Sequence, residues 1–345
     1  MASNRVAYFD ALNVFSCFSV IALHCNGIFH QYTRTAAWNF SAVIQVLFYC
    51  AVPIFFMLSG ATLLNYRERY SSQEFYKKRL IKTMLPYLFF SIVFYIIKQI
   101  SAWEKSGELS FNICDFLRIL FEGSAPFASF WFFIPLFMMY LFMPLLSIIA
   151  TKASKKQMLF FIIVITFFLG VYPIIAHYLE LGTLTVGKNN SFMIPIGGYS
   201  LYLFLGYFLH NHDYEKNNYI LCSICLVGLL AFITRYYLLI RFADYRIDLL
   251  MSYFGLYAII PSAAFFMLFK RLFTNERKII SSLSTLSFGV FIIQSAVISF
   301  CLFFQRKINL DEIWLQTAGI ILVYLICCAI VYVVKKISFL KWIFP

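Results

Sequence analysis

His24 lies in an uncharged run from Ala11 to Thr33, long enough to cross a bilayer. An ionisable side chain at membrane depth is costly and reads first as functional. Imidazole exchanges protons near neutral pH, so His24 is a candidate catalytic group. The competing reading is a histidine satisfied inside a helix bundle. Asp10 and Asn13 precede it by fourteen and eleven residues. At 3.6 residues per turn all three fall on one helix face, with Asn13 about 16 Å from His24 along the axis. That stripe faces a cavity or the bundle interior. Asn26 and Ser59 are further polar groups in or beside apolar spans, and with Asn13 they are candidates to stabilise an oxyanion.

Other segments could bind. Val52-Pro53-Ile54-Phe55-Phe56-Met57-Leu58-Ser59-Gly60 combines a helix-interrupting proline with a small pair that admits close approach; helix packing explains it equally. Residues 67–82 carry six basic side chains, among them Lys78, Arg79 and Lys82. Arg79 and Lys82 share a helix face and could hold phosphates, or anchor the chain at anionic headgroups. Arg235, Arg241 and Arg246 stand near Tyr236, Tyr237 and Tyr245. They could grip a sugar or anionic acceptor, or form an interfacial belt. His30 falls at the end of the first span, where it could meet the acceptor. His177, His210 and His212 fall near span ends, where interfacial roles dominate.

The elements that must position these residues are membrane helices. The chain has 345 residues, 62% hydrophobic and only 12% charged, about half the charged share of a soluble domain. Mean hydropathy is +0.81. Ten spans are expected, at about 11–29, 42–64, 84–101, 130–149, 157–178, 192–210, 219–240, 249–269, 283–304 and 314–334, each near the roughly 20 residues a bilayer needs. The expected fold is all-α: a polytopic membrane bundle forming a single domain over residues 1–345, with no soluble domain. The net charge of +13 does not imply nucleic acid, because the basic residues sit in short loops between apolar runs. Most fall on alternate loops that share a side with both termini, which places the termini in the cytoplasm and His24 in the outer half of its span. No secretory cleavage pattern is expected. Cys222-x-x-Cys225 lies in an apolar run and reads as packing. No nucleophile-elbow, phosphate-loop or metal-spaced His/Glu motif occurs, so no metal or resident cofactor is expected.

Tyr8-Phe9-Asp10-x-x-Asn13 with His24, Val-Pro-x-Phe-Phe-x-Leu-Ser-Gly, and Phe75-x-x-x-Arg79-x-x-Lys82 with Pro86-Tyr87 together resemble the membrane-bound type 3 acyltransferase family. Trp131-Phe132-Phe133 with Tyr140 and Pro144, Leu205-Gly206-Tyr207 and Leu286-Ser287-Phe288-Gly289-Val290-Phe291 resemble its later spans. The resemblance covers nearly the whole chain. It implies transfer of an acyl group, usually acetyl, from cytoplasmic acyl-CoA to a hydroxyl on a cell-surface or envelope glycan. His24 matches the essential histidine of the family's first span. Arg79 and Lys82, with Lys78 beside them, match a paired-arginine motif linked to acyl-CoA use. Three positions depart from the pattern. Asn13 stands where the family commonly has arginine, Lys82 replaces the second arginine, and Gln294 stands where a histidine is frequent.

The chemistry suits these residues. His24 could take the proton of a sugar hydroxyl as it attacks a thioester, or carry the acyl group itself. The basic loop would hold CoA phosphates while the pantetheine arm threads toward His24. Trp131, Arg235 and Arg241 are candidate acceptor contacts. Partners on this reading are acyl-CoA, a glycan and the lipid bilayer; self-association as a homo-oligomer stays open. The alternatives are a glycan or lipid-linked-intermediate transporter and a family member that binds without catalysing.

Overall fold

Each expected span is met by helix. The computed structural model describes residues 5–33, 35–107, 111–122, 128–178, 193–311 and 313–345, and these contain no strand. The helices are α1 (Ala7–His24), α2 (Ala36–Phe48), α3 (Ala51–Leu63), α4 (Ser72–Arg79), α5 (Leu85–Ser106), α6 (Ile113–Glu122), α7 (Phe133–Lys152), α8 (Lys155–Thr166), α9 (Tyr172–Tyr178), α10 (Met193–Asn211), α11 (Asn218–Leu250), α12 (Leu256–Leu272), α13 (Lys278–Lys307), α14 (Ile313–Gln316) and α15 (Ala318–Lys336). Among the described residues, eight helical stretches are long and apolar enough to cross a membrane; α10 and α12 stand at the sixth and eighth expected spans. The chain is a polytopic helical membrane protein. The side chains of His177 and Arg246 lie outside the described residues.

Outer helices turn apolar side chains outward. α8 exposes Leu159, Phe160 and Ile163, and α11 exposes Leu226, Leu229, Leu230 and Ile233. Such a surface is at home in lipid, where helices satisfy their own backbone. α1 takes the opposite position, packed among α2, α3, α12, α13 and α15.

Pro53 has the effect its missing N–H requires. It cannot donate to the Tyr49 carbonyl four residues back, and the second span divides there into α2 and α3. α11 differs from the sequence reading, which ended its span at 240. The helix runs on to Leu250, because residues 241–250 hold no proline or glycine to stop it. The turn comes instead at Ser252–Gly255, where Gly255 donates to the Ser252 carbonyl at 3.3 Å.

α3 and α10 meet backbone to backbone. A Cβ on Gly60 would stand 1.9 Å from the Leu203 carbonyl oxygen, and one on Gly206 would stand 2.0 Å from that of Met57. Only hydrogen fits at both, the small-residue logic of close membrane-helix crossings. Gly206→Leu is expected to cost more than about 3 kcal/mol, since the clash is with backbone rather than a movable side chain. Thermal unfolding monitored by size exclusion in detergent measures this. Gly27→Ala is the control, because its Cβ would meet nothing within 4 Å. Wild-type melting in Gly206→Leu would refute the close crossing.

Candidate functional site

α1 ends at His24, inside the protein. Cys25 and Asn26 close its last turn by donating to the Ile21 and Leu23 carbonyls at 2.8 and 3.3 Å. A 3-10 turn, Gly27–His30, follows. Cys25, Asn26 and Phe29 are buried, so protein groups rather than water must fix this end. Asn26 ties it down. Its Nδ2 donates to the Ser41 carbonyl at 2.9 Å and to Gln45 Oε1 at 3.1 Å, while its Oδ1 accepts from Gln316 Nε2 at 3.0 Å.

α13 runs beside α1 in the same direction. Asn13 Nδ2 donates to the Ser284 carbonyl and Oγ at 3.1 and 3.0 Å, Cys17 meets the Ser287 carbonyl at 3.5 Å, and His24 faces Gln294. The expected polar stripe on α1 therefore looks onto α13. Gln294 is fully buried, and neither of its amide atoms has a well-formed hydrogen bond.

The His24 ring is exposed by surface area yet surrounded by protein, because the space it reaches is two cavities. One, of about 350 Å³, is lined by His24, His30, Gln45, Tyr49, Ser129, Trp131 and Tyr253. The break between α2 and α3 brings Tyr49 there, and its hydroxyl donates to the Met251 carbonyl. Trp131 stacks on Tyr253 with centroids 5.6 Å apart. The other cavity, of about 560 Å³, is lined by His24, Gln31, Gln305, Arg306, Asn309 and Gln316.

A third cavity, of about 500 Å³, lies toward the start of α1. Arg5, Arg79, Lys82 and Lys335 line it with Asn13 and Ser59, and its described lining includes no acidic side chain. Arg79 packs 5.7 Å from the Phe75 and Tyr140 rings, and its Nε is buried without a hydrogen-bond partner. Lys82 belongs to a π-helical turn, Leu80–Met84, a local widening frequent at functional sites. Phe132 and Phe291 line both this basic cavity and the Tyr49/Trp131 cavity. Their rings are 5.4 Å apart, with Phe55 at 5.9 and 6.3 Å from them. Three phenyl rings thus form the wall between four cations and His24.

The family model for the type 3 acyltransferase domain matches residues 6–332. The chain belongs to the type 3 acyltransferase family. It is a membrane acyltransferase, and the match spans nearly all the helices described above. No curated protein and no solved structure matches the chain.

The sequence-predicted residues divide into groups. Arg79 and Lys82 share the basic cavity, and Trp131 and His30 share a cavity with His24. Asn13 and Ser59 stand in the basic cavity, away from His24, and Ser59 Oγ is committed to the Phe55 carbonyl at 2.9 Å. Neither is placed to stabilise an oxyanion at His24. Asn26 is a tether with its groups engaged. Asp10 pairs with Arg5 at 3.8 Å. Lys78 turns away, paired with Glu74 at 2.7 Å and lying 4.0 Å from the Tyr70 ring centroid. Arg235 is buried behind the cavity wall, its guanidinium 4.2 Å from the Tyr49 ring centroid and donating to the Tyr257 carbonyl at 3.3 Å. Arg241 is exposed and lines none of these cavities. Sequence reasoning missed Arg5 and Lys335, which reach the basic cavity from opposite ends of the chain. It also missed Gln45, Gln305 and Gln316, although amides in apolar runs were a readable signal.

Asn26→Ala removes both sides of the tether and leaves the Gln316 donor buried and unpaired. A loss of about 1–3 kcal/mol is expected. Hydrogen exchange of residues 24–30 should accelerate while that of α11 stays unchanged. Unaltered protection of this segment would exclude Asn26 as the residue that fixes His24.

Proposed function

We propose that the protein moves a short acyl group, acetyl foremost, from cytoplasmic acyl-CoA to a hydroxyl of a cell-surface or envelope glycan. The carrying observation is that the basic cavity and a His24 cavity share the walls Phe132 and Phe291. Four cations in a described lining without an acidic side chain, of which Arg5 is paired behind it, with Asp10, suit the phosphates of CoA. Beyond them the lining turns aromatic, which suits the uncharged pantetheine arm. The thioester then reaches His24 when the phenyl rings part. With the termini on the cytoplasmic side, as the loop charges favour, the basic cavity opens inward and His24 stands toward the outer face of the cell membrane.

At His24 two routes balance. As general base, an imidazole nitrogen takes the proton of the glycan hydroxyl and its oxygen attacks the thioester carbonyl. The C–S bond breaks, and the departing CoA sulfur receives that proton. As nucleophile, one imidazole nitrogen attacks first, the C–S bond breaks, and the proton on the other nitrogen goes to the departing sulfur; the hydroxyl then attacks the acyl-imidazole, the C–N bond breaks, and its proton returns to the ring. Ser129 lines the same cavity, and with Ser295 donating to it at 2.8 Å its own proton is free for a developing oxyanion, whereas the Tyr49 proton is held by the Met251 carbonyl. Lys82 supplies a point charge where an arginine would supply a fork, and Arg5 and Lys335 add the charge that Asn13 lacks.

Membranes incubated with labelled acetyl-CoA and envelope glycans test this reading. Wild type should transfer label, and His24→Ala should lose transfer while still binding acetyl-CoA. Full transfer by His24→Ala removes His24 as the catalyst, and glycan translocation without label transfer favours a transporter. Substituting both Arg79 and Lys82 by alanine should weaken acetyl-CoA binding by about tenfold or more, the loss expected for two charge-assisted contacts. Unchanged affinity in calorimetry would move the donor site elsewhere.

A further inference from the structure

The cavity lined by Gln305 and Gln316 shares no residue with the basic one, yet it reaches His24. Asn309, at φ 50°, sits in the left-handed region that asparagine tolerates. There α13 ends, Leu310 donates back to the Gln305 carbonyl at 3.1 Å, and the chain returns so that α14 brings Gln316 to the same cavity. Both glutamines are more than nine-tenths buried. Each spends its amide nitrogen on protein: Gln305 Nε2 donates to the Asp311 carbonyl at 3.0 Å, and Gln316 Nε2 donates to Asn26 Oδ1 at 3.0 Å. Each leaves its Oε1 without a hydrogen-bond partner. Two buried acceptors left unpaired are a standing cost; both oxygens have almost no accessible surface, so a ligand rich in hydroxyl donors removes it as the amides turn toward the cavity.

We infer that this cavity is the acceptor subsite: a sugar unit enters from the α13–α14 side, donates hydroxyls to Gln305 and Gln316, and presents a further hydroxyl to His24. The donor comes from the opposite side, through the cavity walled by Phe132 and Phe291, so the two substrates reach the imidazole without crossing. Gln316 also links the subsite to the other His24 cavity through Asn26 and Gln45, so sugar bound at Gln316 touches the same tether that holds His24. The inference rests on the acyl-transfer reading for the fate of the sugar hydroxyl, but not for sugar binding itself.

Gly27 gives a clean test. It lines this cavity, and a Cβ there would meet nothing within 4 Å, so Gly27→Leu fills the space without disturbing either glutamine. Gln305→Met is the second variant, keeping volume while removing the acceptor; it also removes the Nε2 bond to the Asp311 carbonyl, so its thermal melting is compared with wild type alongside binding. The full chain in nanodiscs is probed by saturation-transfer NMR with methyl glycosides of a neutral hexose and an N-acetylhexosamine, without acyl-CoA. Wild type should bind, and each variant should bind about tenfold more weakly, the scale of a lost buried hydrogen bond or two. Acetyl-CoA affinity should not change. Glycosides that bind both variants as they bind wild type, or that do not bind wild type, overturn the assignment. If sugar binding is lost as expected but no variant or wild type transfers acetyl label, the subsite stands and the acyl-transfer reading falls. If Gly27→Leu transfers label with an unaltered KM for glycan, the subsite falls and acyl transfer stands.

Discussion

A helix end buried in protein is the constraint on which this structure depends. α1 packs among five other helices and ends at His24, where Cys25 and Asn26 are buried while the imidazole looks into two cavities. Its closing residues are out of reach of water, and unpaired backbone or amide groups there would be expensive. Asn26 meets that demand by binding α2 through Ser41 and Gln45 and α14 through Gln316. The arrangement fixes the imidazole two residues away from a fully engaged side chain. It also explains why the chain turns at Gly27–His30: the turn opens space on two sides of His24 that a continuous helix would fill with its own next turn. A reactive group reachable from two directions follows from terminating one helix early.

α13 supplies the complementary half. One helix face carries Ser284 and Ser287 at the basic cavity, Phe291 in the aromatic wall, Gln294 opposite His24, and Gln305 at the amide-lined cavity. Ser284 to Gln305 is about 32 Å of helix, comparable with a bilayer's hydrocarbon core. Along that length the chemistry is graded from cations, through phenyl rings, to imidazole and then to amides with Arg306. The order matters electrostatically. For the donor proposed above, phosphates would meet positive charge where the cavity is polar and only uncharged atoms would pass the phenyl wall, so no charge would cross the apolar centre.

Much of this was legible from residue order alone, and the misses have physical causes. Apolar run length located the helices, since a bilayer imposes both length and composition. His24 stood out because ionisable groups are rare at such depth, and Arg79 with Lys82 because three residues of separation keeps them together. What failed was inference from neighbourhood in sequence. Arg235 and Arg241 are six residues apart on one helix, yet one is sealed against Tyr49 and the other is exposed. Lys78 adjoins Arg79 but turns to Glu74. Arg5 and Lys335 join one cavity only because α1 and α15 pack together, and no local pattern encodes that. Ser59 read as a free hydroxyl, but a serine in an apolar helix returns its proton to the carbonyl four residues back.

The two amides that depart from the family pattern constrain the chemistry further. Asn13 and Gln294 both face the line between α1 and α13, and neither can accept or release a proton at any ordinary pH. At Asn13 the missing charge is replaced from elsewhere, because Arg5 and Lys335 reach the same cavity. At Gln294 no such charge replaces the missing imidazole: the cavity His24 shares holds His30, which sits past the helix end, and the tyrosines Tyr49 and Tyr253. An amide opposite the ring can still orient it, by donating to the unprotonated nitrogen or accepting from the protonated one, and its side-chain atoms are not pledged to other groups. It cannot relay the proton onward. On the general-base route proposed above, the proton that His24 takes from a hydroxyl returns through His24 to the leaving sulfur; on the nucleophile route the ring gives up its own proton first and regains one from the hydroxyl. On the proposed reading, either route returns His24 to its starting protonation state, which suits a ring whose facing partner on α13 is an amide rather than an acid or base.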